Sequence, residues 1–248
     1  MAYVLAACLG VFFLRPTYLL SIIIVLVPPA FVTWFWLKSA RRKILLFSLV
    51  TTALFAPPVE LASRAANAWD VQSVLPRPFG LVPLENMLFA FLNFFWVLSF
   101  FAYFMGRDEG SPFPPRSRYL IGLYLTFDIL IFGLFAFKPA FIALDYAVAA
   151  VPILIIPSLL VYWRRFGLLR LTLLPTAFFA SVFFAYETVS LCIGSWWWPG
   201  HYLWPSRLCG AVFPIDDAVI WYFLSTPALI GGYEYFAGGA LPSQRLQN

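Results

Sequence analysis

Eight apolar runs set the terms for this chain, because each approaches the length of a bilayer crossing and charge seldom interrupts them. A spanning helix needs about 20 predominantly apolar residues, and the runs read as 2–14, 17–37, 44–67, 84–105, 119–137, 140–163, 169–193 and 215–236. The first is short and is expected only to dip into the bilayer; the other seven are long enough to cross. Prolines inside them (Pro28, Pro29, Pro57, Pro58, Pro152, Pro157, Pro175 and Pro227) predict kinks whose freed carbonyls must find other donors. Soluble domains carry about 25% charged residues, whereas this chain has 11% and is 62% hydrophobic. The reading is an all-α integral membrane protein of about eight transmembrane helices, without room for a large aqueous domain.

Lys and Arg set the expected orientation. One set of loops holds Lys38, Arg41, Arg42, Lys43, Arg107, Arg116, Arg118, Arg164, Arg165, Arg170 and Arg245; the other holds Arg15, Arg64, Arg77, Lys138 and Arg207. By the positive-inside rule the larger set is cytoplasmic, in a multi-pass protein of the cell membrane. The N-terminus lacks a signal-peptide cleavage pattern and reads as a retained helix. A net charge of +5 confined to loops argues against nucleic acid as a partner.

The two halves echo one another. Phe13-Leu14-Arg15-Pro16 matches Phe137-Lys138-Pro139, and Trp36 with Arg41-Arg42 resembles Trp163-Arg164-Arg165. Glu60 and Trp69 match Glu187 and Trp196, and Pro83-Leu84-Glu85-Asn86 matches Pro214-Ile215-Asp216-Asp217, with offsets of 123 to 131 across the set. The ordered series points to a duplication, with repeats 1–110 and 111–248 joined by the polar linker Asp108-Glu109-Gly110-Ser111-Pro112. Four helices per half is an even number, so the expected layout is two tandem parallel four-helix repeats rather than an inverted pair.

Three Cys and one His leave no familiar metal cluster, and no glycine-rich phosphate loop signals a nucleotide cofactor; none of either kind is expected. Cys192 and Cys209 fall on the outer side and read as unpaired, a disulfide being the less favoured alternative. His201 and most outer-loop aromatics, Trp196-Trp197-Trp198 and Tyr202 among them, read as structural or interfacial. Acids within membrane segments are costly and therefore mark function. Asp128 and Asp145 are expected to find partners across the bundle, and Glu234 to reach water near a helix end.

The remaining acids differ. Glu60 and Glu187 end their helices; Glu85, Asp216 and Asp217 open the next ones, each just after a proline at what reads as the first helical position, where free N–H groups favour a carboxylate. They are expected to converge on one outer-facing site, with two close carboxyls sharing a proton. Capping alone accounts for Glu85 and Asp216 but leaves Glu60 and Glu187 unexplained.

The paired Pro-x-acid motifs, each following an acid-ended helix and a Trp-containing loop, resemble the carotenoid lycopene cyclase domain, the small membrane type found as two subunits or a fused tandem. The family's Pro-x-Glu-Glu reads here with Asn86 in the first copy and two Asp in the second. The resemblance implies a redox-neutral, acid-catalysed closure of ionone end rings on lycopene or a related polyene, without a cofactor. Glu85, Asp216 and Asp217 would include the general acid, with Glu60 and Glu187 orienting it or returning the proton. Aromatic faces would steady a passing carbocation: Trp69, Phe89, Trp196, Trp221 and Tyr222, with Asn86, line the expected substrate site, packing being the alternative role for each ring. Partners would be the lipid-soluble substrate, membrane lipids and other carotenoid enzymes. A carotenoid end-group hydratase or a proton-coupled transporter would use similar acids. A retinal protein is disfavoured because Lys38, Lys43 and Lys138 all lie at helix ends.

Overall fold

In the computed structural model, residues 1–238 are described; 239–248, including Arg245 of the basic set, and the side chains of Tyr146, Asp217 and Ala218 lie outside the described residues. The fold is mostly helical. In chain order it runs α1 (Ala2–Leu14), α2 (Tyr18–Trp36), α3 (Arg41–Ala66), α4 (Leu84–Phe104) and α5 (Ser117–Phe137). Next, α6 (Tyr146–Ala150) passes through a π-helical stretch (Val151–Ile155) into α7 (Ile156–Arg164), followed by α8 (Phe166–Cys192). The last run comprises α9 (Ile215–Asp217), a π-helical stretch (Ala218–Ser225) and α10 (Thr226–Phe236). Six helices among the described residues are long and apolar enough to cross a membrane, as a multi-pass membrane protein requires. At 1.5 Å per residue α1 reaches only about 20 Å, short of a crossing.

Helix α4 is the centre of the packing, touching α2, α3, α8 and α10. Its buried face carries Phe95, Trp96 and Phe101, and rings dominate the contact with α8: Trp96 meets Phe179 edge-on at 5.0 Å and Phe100 stacks on Phe178 at 4.6 Å. With few polar atoms to bury, helices in lipid associate through close packing, and planar rings give area at small entropic cost. The prolines are accommodated as the physics demands. Pro28 deprives the Ile24 carbonyl of its helical donor, and the Tyr3 hydroxyl of α1 donates to that oxygen at 2.6 Å.

Three sequence expectations need correction. The run 140–163 begins late: Pro139–Phe141 form a 3₁₀ turn, and Asp145 is the exposed N-cap of α6 rather than an acid inside the helix partnered across the bundle. Pro139 pushes Lys138 out of the helical region, to φ −149° and ψ 66°, and Asp suits a cap better than a turn interior. Pro83 is the N-cap of α4 and Pro214 ends a strand, so neither occupies the first helical position. Glu234 does not reach water. It is buried and paired with Arg107, Nη2 to Oε2 at 2.7 Å.

That pair belongs to the end of the molecule carrying the larger basic set. There Arg165 donates to the Glu234 carbonyl at 3.1 Å and Arg116 to the Gly238 carbonyl at 2.8 Å, favourable placements for cations at a helix C-terminus. The linker acid Asp108 accepts the backbone N–H groups of Lys38, Ser39 and Ala40 at 2.5, 2.9 and 2.6 Å, holding the α2–α3 turn. Burial alone would raise the Asp108 pKa, but these donors outweigh it and hold the carboxyl below its usual range.

At the opposite end two small antiparallel strand pairs form, where no strand was expected. β1 (Asp70–Val71) pairs with β2 (Trp196–Trp197), joining the α3–α4 loop to the loop after α8. β3 (Pro205–Leu208) and β4 (Ala211–Pro214) make a hairpin whose turn residues Cys209 and Gly210 have φ of 52° and 83°, as a tight primed turn needs.

Candidate active site

Two helix-borne glutamates anchor the site from opposite sides. Glu60, near the C-terminal end of α3, accepts the Asn86 side-chain amide at 2.9 Å and the Trp69 indole N–H at 3.3 Å, both through Oε1. Its Oε2 has no hydrogen-bond partner among the described residues. Glu187, near the C-terminal end of α8, accepts the Trp198 indole N–H through Oε1 at 2.8 Å and the Tyr222 hydroxyl through Oε2. Each glutamate retains only 6% of its surface.

The loops between the helices hold the indoles in place. The β1–β2 register sets Asp70 opposite Trp197 and Val71 opposite Trp196, and Gln72 N–H donates to Ser195 O at 3.0 Å just beyond it. The Trp69 and Trp198 rings then meet edge-on at 6.0 Å, so the two indole–glutamate bonds are neighbours. Asp70 is gripped by Arg64 at 2.7 and 3.0 Å and by Arg77 at 3.0 Å. Burial would raise its pKa, but the arginine bonds and the Val71 N–H outweigh this and depress it. Across the gap, Tyr202 donates to the Ala68 carbonyl. Gly200 lies so near that an added Cβ would stand 3.0 Å from the Asn67 carbonyl oxygen and 3.1 Å from the Ala68 Cα. Cys192 and Cys209 are bonded as a disulfide, correcting the expectation of free thiols: the hairpin folds back on the end of α8, a juxtaposition their spacing did not reveal.

Between the glutamates is a cavity of about 160 Å³ lined by both of them. One water needs roughly 10–15 Å³ by a like measure, so there is space for an organic group. All six expected substrate-site residues line it: Trp69, Asn86, Phe89, Trp196, Trp221 and Tyr222. Phe89 stacks on Tyr186 at 5.9 Å and meets Trp196 edge-on at 5.7 Å. The π-helical stretch matters here. Its wider turn brings Trp221, Tyr222 and Ser225 to one wall, and such insertions concentrate at functional sites. The wall is mostly carbon, broken by the two carboxyls and a few hydroxyl, amide and indole groups.

The five expected acids do not all converge. Glu85 is fully buried but faces the α3–α4 loop, where it accepts the Ser73 hydroxyl and the Val74 and Leu75 N–H groups, each at 2.7 Å. Asp216 is buried outside the cavity lining and accepts the Leu203 N–H at 3.3 Å. The side chain of Asp217 lies outside the described residues. The indole bonded to Glu60 comes from nine residues on, Trp69, and the one bonded to Glu187 from eleven residues on, Trp198. Tyr186 and Asn93 went unnoticed. Asn93 lies one face-repeat beyond Asn86, Phe89 and Ala90 on α4, so helical spacing could have found it. Tyr186 precedes Glu187 and had no such signal; its hydroxyl meets the Ser21 hydroxyl at 2.8 Å.

Among the described residues no cluster of His, Cys, Asp and Glu is arranged to hold a metal ion. The chemistry on hand is that of two carboxyls, phenols, indoles and amides around a small, mostly apolar space: proton transfer beside aromatic faces. Comparison with protein families, with curated proteins and with solved structures finds no match to this chain.

Proposed function

We propose that this chain is a membrane enzyme of the lycopene cyclase type, closing ionone rings on the ends of a linear polyene. The observation that carries the reading is the placement of Glu60 and Glu187 in one aromatic-walled cavity, with different hydrogen-bond states. Among the described residues Glu60 leaves one oxygen without a hydrogen-bond partner, and it is assigned the proton-donor role. Glu187 has both oxygens engaged by N–H and O–H donors and is assigned the acceptor role.

In this scheme Glu60 Oε2–H protonates the terminal C=C of the polyene, and the carbon–hydrogen bond leaves a tertiary cation. An internal alkene attacks the cation and closes the ring, moving the charge within it. Glu187 then removes a ring proton and restores a C=C, so the substrate gains and loses one proton and no redox partner enters. Return of the proton from Glu187 to Glu60 resets the site. Ring faces near the developing cation favour it, and exclusion of water protects it from capture. Glu85 and Asp216 hold the loops that carry the indoles, a positioning role in place of the acid role first assigned to them; Asp217, whose side chain lies outside the described residues, keeps the candidate acid role that the resemblance implies.

The rest of the sequence reading belongs to this proposal: tandem repeats 1–110 and 111–248, residence in the cell membrane, and basic loops in the cytoplasm. The Cys192–Cys209 disulfide supports placing the glutamate end on the outer face, where oxidising conditions preserve such bonds. Expression in lycopene-accumulating cells tests the function. Cyclised pigment with the parent chain, and unreacted lycopene with Glu60→Gln at equal protein level, is the expected result; parent-chain cells that hold only lycopene would end the proposal.

A further inference from the structure

We infer that a long apolar substrate enters sideways from the lipid and keeps its tail in a second chamber behind Met87. The inference rests on the polyene reading for the identity of the occupant, and on separate geometry for the path. A second cavity of about 650 Å³ lies against the same two helices as the glutamate cavity. Helix α3 gives Ala56 and Glu60 to the first space and Ala53, Pro57 and Leu61 to the second; α4 gives Asn86 and Ala90 to the first, Leu84 and Phe91 to the second. Met87 lines both.

Among the described residues the second wall carries no ionisable group, and its one side-chain hydroxyl is that of Thr52. Such a space offers water almost nothing, since a bound water needs two to four polar partners. It can take hydrocarbon but can do no chemistry on it. The glutamate cavity is too small for a linear polyene, so a substrate with its end at Glu60 must leave along some wall. The Met87 boundary leads into the larger chamber, and methionine is the unbranched, adaptable side chain that yields most readily to a passing chain.

The far side of the chamber opens where lipid would lie. Phe132, Phe135 and Ala136 of α5 border it, and α5 is the least buried of the six long apolar helices. At its rim Phe79 sits at φ 56° with 91% of its surface exposed. A bulky residue rarely adopts that left-handed conformation, and here it turns the ring outward at the mouth. The occupant assigned to the chamber is the polyene tail, in preference to a phospholipid acyl chain, because only the former continues past Met87 to the acids.

The test uses the full chain in lipid nanodiscs, with a polyprenol bearing a diazirine at its tail as photolabel. Label is expected on 49–61 and 132–136, displaced by added lycopene and not by excess phospholipid. In lycopene-accumulating cells, Met87→Trp and Ala53→Trp should each cut ring formation about tenfold or more by displacing the substrate. Leu123→Trp, on the exposed face of α5, should leave it unchanged. Label spread evenly over the lipid-facing surface, or displaced by phospholipid, overturns the chamber even if the tryptophan variants fail to fold. Normal cyclisation by both folded variants overturns it while leaving the enzymatic reading intact. Chamber labelling by a parent chain that forms no rings does the reverse: the tunnel stands and the cyclase reading falls.

Discussion

The two glutamate arms are alike in plan and unlike in detail. Each puts a buried glutamate near the end of a long helix, an indole N–H from the following loop on one carboxyl oxygen, and a donor from the next apolar helix beside it. In the first arm the donor is an amide, both bonds fall on the same oxygen, and arginines clamp the loop through Asp70. In the second the donor is a phenol, both oxygens are engaged, and a disulfide with a hairpin holds the loop. Similar scaffolding therefore leaves the two carboxyls differently engaged among the described residues. The difference lies in how many oxygens are committed, not in which acid is present.

The comparison breaks or sharpens most at the glutamates themselves. Glu60→Gln keeps an oxygen for Asn86 and Trp69 but loses the proton, and ring formation should fall by about 100-fold or more, with thermal stability close to that of the parent. Glu187→Gln should fall as far; pigment analysis at matched protein level measures both, and normal turnover by either would remove the two-acid scheme. Next in size is the staple of the second arm. Cys192→Ser with Cys209→Ser opens a loop with a sequence separation of 17, for which chain entropy gives roughly 3 kcal/mol. Denaturation in mild detergent with and without reductant should show that loss.

Glu85→Gln comes third. Its three donors lose a charged acceptor, a change of about 1–3 kcal/mol in stability, while residual activity should track folded protein. If Glu85→Gln instead folds as well as the parent and is inactive, Glu85 returns to the chemistry and the positioning role is wrong. The smallest effect belongs to the arginine clamp. Because the folded Asp70 pKa is depressed, its contribution is present above the ordinary carboxylate pKa of about 3.9 and lost as pH falls through the depressed value. Asp70 is partly exposed, so roughly 1 kcal/mol or less is at stake. Melting curves between neutral and acid pH should slope less for Asp70→Asn; an unchanged slope would mean that the arginines do not hold it.

What the sequence determined alone is the part governed by local rules. Runs of apolar residues about as long as a bilayer is thick gave the helices to within a few residues, for α1 to the residue, because each helix satisfies its own backbone and reports its length directly. The same rules marked Glu60 and Glu187, since a carboxyl in an apolar run has no local reason to be there; the six expected residues that line the cavity came instead from the family resemblance. They failed wherever partners are distant in sequence. Glu85 and Asp216 carry the same motif as a catalytic acid would, and only the path of loops 67–83 and 193–214 turns them away from the cavity. The strand pair that brings Trp69 to Trp198, the disulfide, the burial of Glu234 against Arg107 and the π-helical wall around Tyr222 were likewise decided in three dimensions. A side chain's direction depends on what packs against it, and for Glu85, Asp216 and the disulfide those neighbours are set by how the loops after α3 and α8 fold back.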